Sequence, residues 1–437
     1  MTLIRGRVLS FHADPGDSAD SHRYWSDGAI RIAEGRIAAV GDFADLYHPG
    51  EDVTDHRPHL ILPGFIDPHI HFPQAQVVAS WGAQLLDWLR DYTFPEEARF
   101  ADAPHAARIA DAFLDLLIAH GTTAACAFCT SHPGSVDALF TAAEVRGMAI
   151  TAGKVMMDRG AIAAVHDTAR TSYDDSRALI ARWQGRGRLR YAITPRFAIT
   201  STPAQLQAAG ALAAEFPELT VQTHLSENLA EIETVLRLYP QARDYLDVYD
   251  RHGLLGPRSL MGHAIHLSPR EIARMAETGT RAIFCPSSNL FLGSGLFDAG
   301  GLHAAGVVTG IATDIGGGTS WSMLTTLAEG YKVLQMRGQN LHPLAAFYRA
   351  TLGNAVALGL DGRIGRIAAG MDADLVVLDV AATPAMALRA ERIRDLAEEL
   401  FILQIMGDDR AVAQTYIAGH PMKKGAQDPR PNPRGPL

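Results

Sequence analysis

From about Leu60 onward, short apolar runs alternate along the chain with longer stretches whose apolar residues recur at helical spacing. That alternation marks repeated strand–helix units around a parallel sheet. Eight runs read as strands: LILPGFIDPHIHF, TTAACAF, MAITAGKVMM, RYAITPRFA, LTVQTH, SLMGHAI, TRAIFC and VVTGIATD. Eight is the number that closes a (β/α)8 barrel, and the chain length suits that fold with insertions. Several helix starts are marked between the runs. Ser268-Pro269-Arg270-Glu271 sets a capping serine, a proline in the first turn and a glutamate placed to reach back to the cap. Thr202-Pro203-Ala204-Gln205 repeats that arrangement, and Asn228 with Glu231 offers a similar one. These caps locate the strand-to-helix loops from which barrel active sites are built.

The two ends of the chain carry a different pattern. The segment before Leu60 is β-patterned, and GAIRIAEGRIAAVGD alternates about a Glu34-Gly35 turn, which predicts a hairpin. β-pattern returns after about Gly370 in DADLVVLD and AVAQTYIAG. The expected fold class is α/β: a TIM-type (β/α)8 barrel over residues 63–368, with a small discontinuous β-sandwich domain assembled from residues 1–62 and 369–425. The tail, residues 426–437, is rich in proline and charge and is expected to be poorly ordered.

Composition narrows the function classes. The 437 residues, 47% hydrophobic and 20% charged, are ordinary globular composition. A formal net charge of -9 weighs against a nucleic-acid surface, while leaving a nucleobase open as a substrate. Cys126, Cys129 and Cys285 make no disulfide framework and suit a reducing compartment. The N-terminal residues turn polar too early for a signal peptide, and no apolar run reaches the ~18 residues a membrane span needs. A cytoplasmic location without membrane association is therefore expected. Cys126-Ala-Phe-Cys129 has the spacing of a redox or zinc pair. No second pair accompanies it, and its place at a strand end inside the barrel makes packing the expected role.

His69 and His71 close the first barrel strand. Residues two apart on a strand share a face, so both imidazoles could grip one ion. His224 ends the fifth strand, His263 the sixth and Asp314 the eighth. Taken singly, each is as readily a buried, hydrogen-bonded polar residue. Together they mark the C-terminal rim of the barrel, where active sites form. Three imidazoles and a carboxylate suit zinc and leave room for a water, whose pKa the ion would lower toward neutrality. Glu227 lies three residues after His224, where a carboxylate can take that water's proton; a solvated first-turn residue is the other reading.

The segments PGFIDPHIH, THLSE, GHAIHLS and TDIGGG resemble the amidohydrolase superfamily. The likeness covers essentially the whole chain, including the split β-domain and the closing GRIAAGMDADLVVLD. It implies one Zn2+ per chain, with iron as the alternative, held by His69, His71, His224 and Asp314. It also implies Glu227 as proton shuttle and His263 as the group that polarises the attacked centre or steadies the water, so that Glu227, His263 and Asp314 form the catalytic set. Two-metal branches carry a lysine at the end of strand four. Here that strand ends AITPRFA and Lys154 lies on the preceding one, so a single-metal site is expected.

Within the superfamily, DPHIHFPQ, LLDWLRDYTFPEE, GKVMMDR, TPRFA, QTHLSEN and CPSSNLFLGSGLFD are most similar to the guanine-deaminating branch. That implies guanine as small-molecule substrate, xanthine and ammonia as products, and a homodimer. By the same resemblance Gln74, Arg196 and Phe197 touch the base, together with His71, His224, Glu227 and Asp314. The chemistry agrees: an amide pairs with a ring edge, a guanidinium donates to a carbonyl oxygen, and a phenyl face stacks. The run RFAIT departs from the pattern after Ala198, at the pocket's outer wall. Two other readings stay open. One is a single-metal hydrolase of a different amino- or halo-substituted heteroaromatic ring; the other is a non-catalytic scaffold of the same fold.

Overall fold

The short apolar runs become strands because they are bounded by turns and buried on both faces, as a parallel sheet under helices requires. In the computed structural model, which describes residues 2–81 and 84–423, all eight form. They are β1 Phe65–His71, β2 Thr122–Phe128, β3 Ala149–Gly153, β4 Arg190–Pro195, β5 Thr220–Leu225, β6 Ser259–His263, β7 Arg281–Phe284 and β8 Thr309–Ile311. Neighbours pair in parallel from β1 through β8. The ring closes just beyond β8: Asp314 N donates to His69 O at 3.1 Å and His71 N to Ile315 O at 2.6 Å. The pairing of β1 with β2 slips between Asp67 and Ile70, where Pro68 has no N–H to give.

The caps form, with one change. Ser268 and Glu271 make the reciprocal capping box with Pro269 in the first turn, and Asn228 and Glu231 make another. Thr202 accepts from Gln205 N, but the Gln205 side chain does not reach back; it donates to Ser172 Oγ at 2.6 Å and Asp167 Oδ1 at 3.1 Å.

Both chain ends contribute to one seven-stranded sheet. In it, Val53–Pro63 runs parallel to Thr2–Phe11 and antiparallel to Leu375–Leu378, joining the N- and C-terminal segments. The predicted hairpin turns at Glu34 (φ 51°) and Gly35 (φ 77°), the two left-handed residues that a tight turn between twisted strands demands. One face of the sheet encloses its own core of Ile4, Val8, Ile30, Ile37, Leu375 and Tyr416. Leu9, Leu60 and Leu62 instead join the main core shared with the barrel helices. Residues 426–437, expected to be poorly ordered, lie outside the described residues.

Cys126 and Cys129 are both buried and free, but only Cys126 faces the barrel interior, where its thiol donates to Gln222 Oε1 at 3.2 Å. Cys129 packs in the layer between barrel and helices. The expectation that both lie inside is corrected by strand geometry: a spacing of three sends two side chains to opposite faces. Among the described residues, no helix is long and apolar enough to cross a membrane.

Candidate metal centre and pocket

Strand β1 delivers His69 and His71 to the barrel interior, β5 delivers His224, and the turn after β8 delivers Asp314. His71 Nε2 lies 3.1 Å from His224 Nε2, and Asp314 Oδ1 lies 3.5 Å from His69 Nε2 and 3.4 Å from His71 Nε2. Two ligands about 2.1 Å from a tetrahedral zinc stand about 3.4 Å apart, so these spacings fit one ion. His69 Nε2 is buried without a protein partner, which is costly unless something else binds there. His224 Nδ1 donates to Arg196 O at 2.7 Å, which leaves its Nε2 lone pair facing His71. Burial holds all three imidazoles neutral: His69 and His71 fall well below their ordinary value and His224 to about 3. Burial also pushes Asp314 up to about 7. Gly262 makes the cluster possible, because a Cβ there would sit 2.3 Å from His69 Cε1.

Backbone strain concentrates at the same rim. Among the described residues, seven other than glycine have left-handed φ, and four of them, Ser226 (49°), His263 (68°), Ala264 (48°) and Asp314 (51°), follow or end β5, β6 and β8. Such conformations cost about 1–3 kcal/mol each and persist where surrounding structure imposes them, often at functional sites.

His263 is set up differently from the other imidazoles. Asn289 Nδ2 donates to its Nδ1 at 2.8 Å, so the ring proton resides on Nε2. That nitrogen faces Glu227 Oε2 at 3.4 Å and Asp314 Oδ2 at 3.7 Å. It is a donor into the site rather than an open ligand. Glu227 Oε1 accepts from Ser294 Oγ at 2.9 Å, and burial, reinforced by Glu231 and Asp314, raises its pKa well above the usual carboxylate range. Glu231 accepts from the backbone N–H of Glu227 and Asn228, so the cap of the following helix also fixes Glu227.

The pocket above these groups encloses about 390 Å³ of atom-free space, part of it open to solvent. Its lining includes His71, Gln74, Arg196, Phe197, His224, Glu227, His263 and Asp314, with Leu85, Trp88, Leu89 and Leu292 as apolar wall. Every expected site residue is there except His69, which is set back behind the lining. Lys154 is bonded to Asp167 and does not line the pocket.

Four contributors escaped the sequence reading. Asn289 and Ser294 orient His263 and Glu227; both lie in CPSSNLFLGSGLFD, which the resemblance had marked only as a segment. Asp67 accepts from Thr313 Oγ1 and from the backbone N–H of His69 and Thr313, tying β1 to the end of β8. Its signal was present, two residues before His69 on the same strand. Glu97 accepts from both Arg196 and Gln74; it ends LLDWLRDYTFPEE, again marked only as a segment, in which nothing singles out that carboxylate. Cys285 adds a buried thiol whose sulfur lies within 4.8 Å of donor atoms on His69, His263 and Asp314. Burial raises its pKa well above the ordinary value, and its Sγ points to Ile283 O at 3.6 Å, so it stays a neutral thiol.

A closed parallel barrel with a histidine–aspartate cluster on its C-terminal rim defines a hydrolase of the metal-dependent barrel type. The chain belongs to the amidohydrolase family, which it matches over residues 60–422. It is 46% identical to the guanine deaminase of Escherichia coli (strain K12) over 409 residues, 93% of each chain. The fold superposes on the E. coli guanine deaminase structure with a TM-score of 0.94 at 44% identity, covering 96% of this chain and 99% of that one. It superposes on guanine deaminase from C. acetobutylicum with bound guanine in the active site with a TM-score of 0.88 at 29% identity, covering 96% and 99%.

Proposed function

We propose that this protein hydrolyses guanine to xanthine and ammonia. The observation that carries the reading is the pocket's polarity. Arg196 and Gln74, donors suited to a carbonyl and a ring edge, line the same pocket as the neutral-imidazole and carboxylate cluster suited to activating water. The assigned ligands are His69, His71, His224 and Asp314, and the assigned ion is one zinc per chain, with iron as the alternative. When bound, such an ion acts as a Lewis acid and lowers the pKa of a water toward neutrality.

The chain's own groups do the rest. Arg196 donates to the carbonyl oxygen of the six-membered ring, Gln74 pairs with the ring edge, and Phe197 offers a face to the base. His71, His224, Glu227 and Asp314 complete the contacts and bring ring carbon 2 to the reacting end. Glu227 takes a proton from the attacking water and gives it to the ring nitrogen beside carbon 2, which makes that carbon electrophilic. It then takes the second proton, from the hydroxyl now on carbon 2, and passes it to the departing amine, so that ammonia leaves as the carbonyl of xanthine forms. His263 donates from Nε2 to steady the attacking oxygen.

The reading extends to a barrel spanning 63–368, a second domain from 1–62 and 369–425, and a cytoplasmic homodimer. The three free, buried thiols suit a reducing compartment, and light scattering tests the dimer. The activity test is ammonia release from guanine, adenine, cytosine, 8-oxoguanine and an amino-triazine, with chloride release followed for a chloro-triazine. Guanine turned over fastest supports the proposal, and faster release from a triazine overturns it.

A further inference from the structure

Glu97 sits on the short helix Phe94–Ala98 and is wholly buried; Arg196 is 2% exposed. Arg196 Nη1 donates to both Glu97 oxygens, each at 2.7 Å. Gln74 Nε2 donates to Glu97 Oε1 at 3.1 Å, while Gln74 Oε1 accepts from Gly316 N at 3.1 Å. The ring of Phe94 packs on the guanidinium, 5.3 Å from its carbon to the ring centroid. One carboxylate thus fixes both polar groups assigned to the base. Among the described residues, Arg196 Nε and Nη2 have no hydrogen-bond partner and remain free to donate.

We infer that Glu97 sets the charge of the pocket as well as its shape: by cancelling the Arg196 cation, it makes the pocket bind a neutral ring carbonyl and release an anionic product. The inference rests on the guanine reading. A lone buried guanidinium would hold any anion strongly, because a low-dielectric site amplifies charge–charge attraction. Paired with Glu97 it offers N–H donors with little net charge, which suits the neutral lactam of guanine. Deamination replaces an amino group by a second ring carbonyl. The resulting dioxo ring gives up an N–H proton more readily than guanine does, so as pH rises the product becomes an anion before the substrate does. Glu97 is therefore a positioning residue that limits product retention at alkaline pH.

Other charges face the pair and must be held constant in a test. Arg196 is within electrostatic reach of His69, His71, His224 and Asp314, and Glu97 of His132. Glu96, on the same helix as Glu97, pairs with Arg99 and His105. None is altered in Glu97→Gln, so their contributions cancel in the ratio of variant to wild type.

The experiment measures xanthine binding by calorimetry to the zinc-loaded protein at about pH 6 and about pH 8.5, in wild type, Glu97→Gln and Glu97→Asp. Steady-state kinetics with guanine run alongside. At the lower pH the Glu97→Gln and wild-type affinities should lie within about threefold of each other. At the higher pH the variant should bind xanthine at least about tenfold more tightly, the scale of one uncompensated charge a few ångströms away. Glu97→Asp keeps the charge but shortens the reach, so it should raise the KM for guanine several-fold while keeping the wild-type pH trend for xanthine. A Glu97→Gln to wild-type ratio that is the same at both pH values overturns the inference. If Glu97→Gln does not fold, a Glu97→Asp protein that gains affinity for xanthine with rising pH overturns it instead. Xanthine binding needs no turnover, so absence of guanine deamination in the wild type would refute the proposed reaction separately.

Discussion

Replacing Glu227 by Gln removes the proposed proton carrier while keeping nearly every contact. Ser294 Oγ donates to Glu227 Oε1 at 2.9 Å, and an amide oxygen can accept that bond unchanged. The amide nitrogen then falls where Oε2 was, 3.4 Å from His263 Nε2, which already carries a hydrogen. Two donors facing each other cost about 1 kcal/mol or less at that separation. Loss of a buried carboxylate, strained by Glu231 and Asp314, offsets that cost. Thermal stability and zinc content should therefore stay close to wild type, and guanine should still bind. Turnover should fall by roughly 10²–10⁴-fold, equivalent to about 3–5 kcal/mol of barrier, because general acid–base catalysis typically supplies that much. Ammonia release gives the rate, elemental analysis the metal, and calorimetry the affinity for guanine. A zinc-loaded Glu227→Gln protein within tenfold of wild-type turnover would refute the shuttle assignment.

Arg196→Met should lose the preference for guanine over adenine in a substrate panel, since a donor built for a carbonyl discriminates only while present. It also leaves Glu97 buried and unpaired, which should cost about 3–5 kcal/mol in chemical denaturation; adding Glu97→Gln should restore stability but not preference. Asp314→Ala should abolish zinc and activity together. In the wild type, Asp314 titrates near 7 in the metal-free protein while His224 remains neutral down to about 3. Zinc affinity, measured by chelator competition, should thus rise about tenfold per pH unit up to about 7 and then level off, a slope of one proton rather than several. Changing Cys126 and Cys129 together to Ala should leave zinc content intact and lower stability by about 1–3 kcal/mol; loss of metal would mean the pair is more than packing.

The barrel and its candidate metal centre are legible in the sequence for one geometric reason. In a closed parallel barrel all strands end on the same rim, so a polar residue at the end of an apolar run is already a statement of position. His69, His71, His224, His263 and Asp314 satisfy it, and the structure gathers them. The same period-two rule also predicts that extended residues three apart diverge, and Cys126 on β2 and Cys129, one residue past its end, do. Thr202 shows where local rules stop: the cap forms, yet the Gln205 side chain is taken by Asp167 and Ser172 from another part of the fold.

Glu97 marks the deeper limit. Its partner Arg196 is 99 positions further on, and the helix that carries it has five residues. No periodicity or cap distinguishes it from Glu96 beside it, which bonds Arg99 near the surface. Only closure of the segment 84–98 over the rim brings that carboxylate against the end of β4. The left-handed backbone at Ser226, His263, Ala264 and Asp314 is equally hidden, because propensity rules assign such angles to glycine or asparagine. Asp314 and His263 hold them because glycine, though better suited to the angle, has neither a carboxylate nor an imidazole to aim into the site. Local preference and site chemistry thus conflict where the chemistry is assigned, and the surrounding packing imposes the outcome.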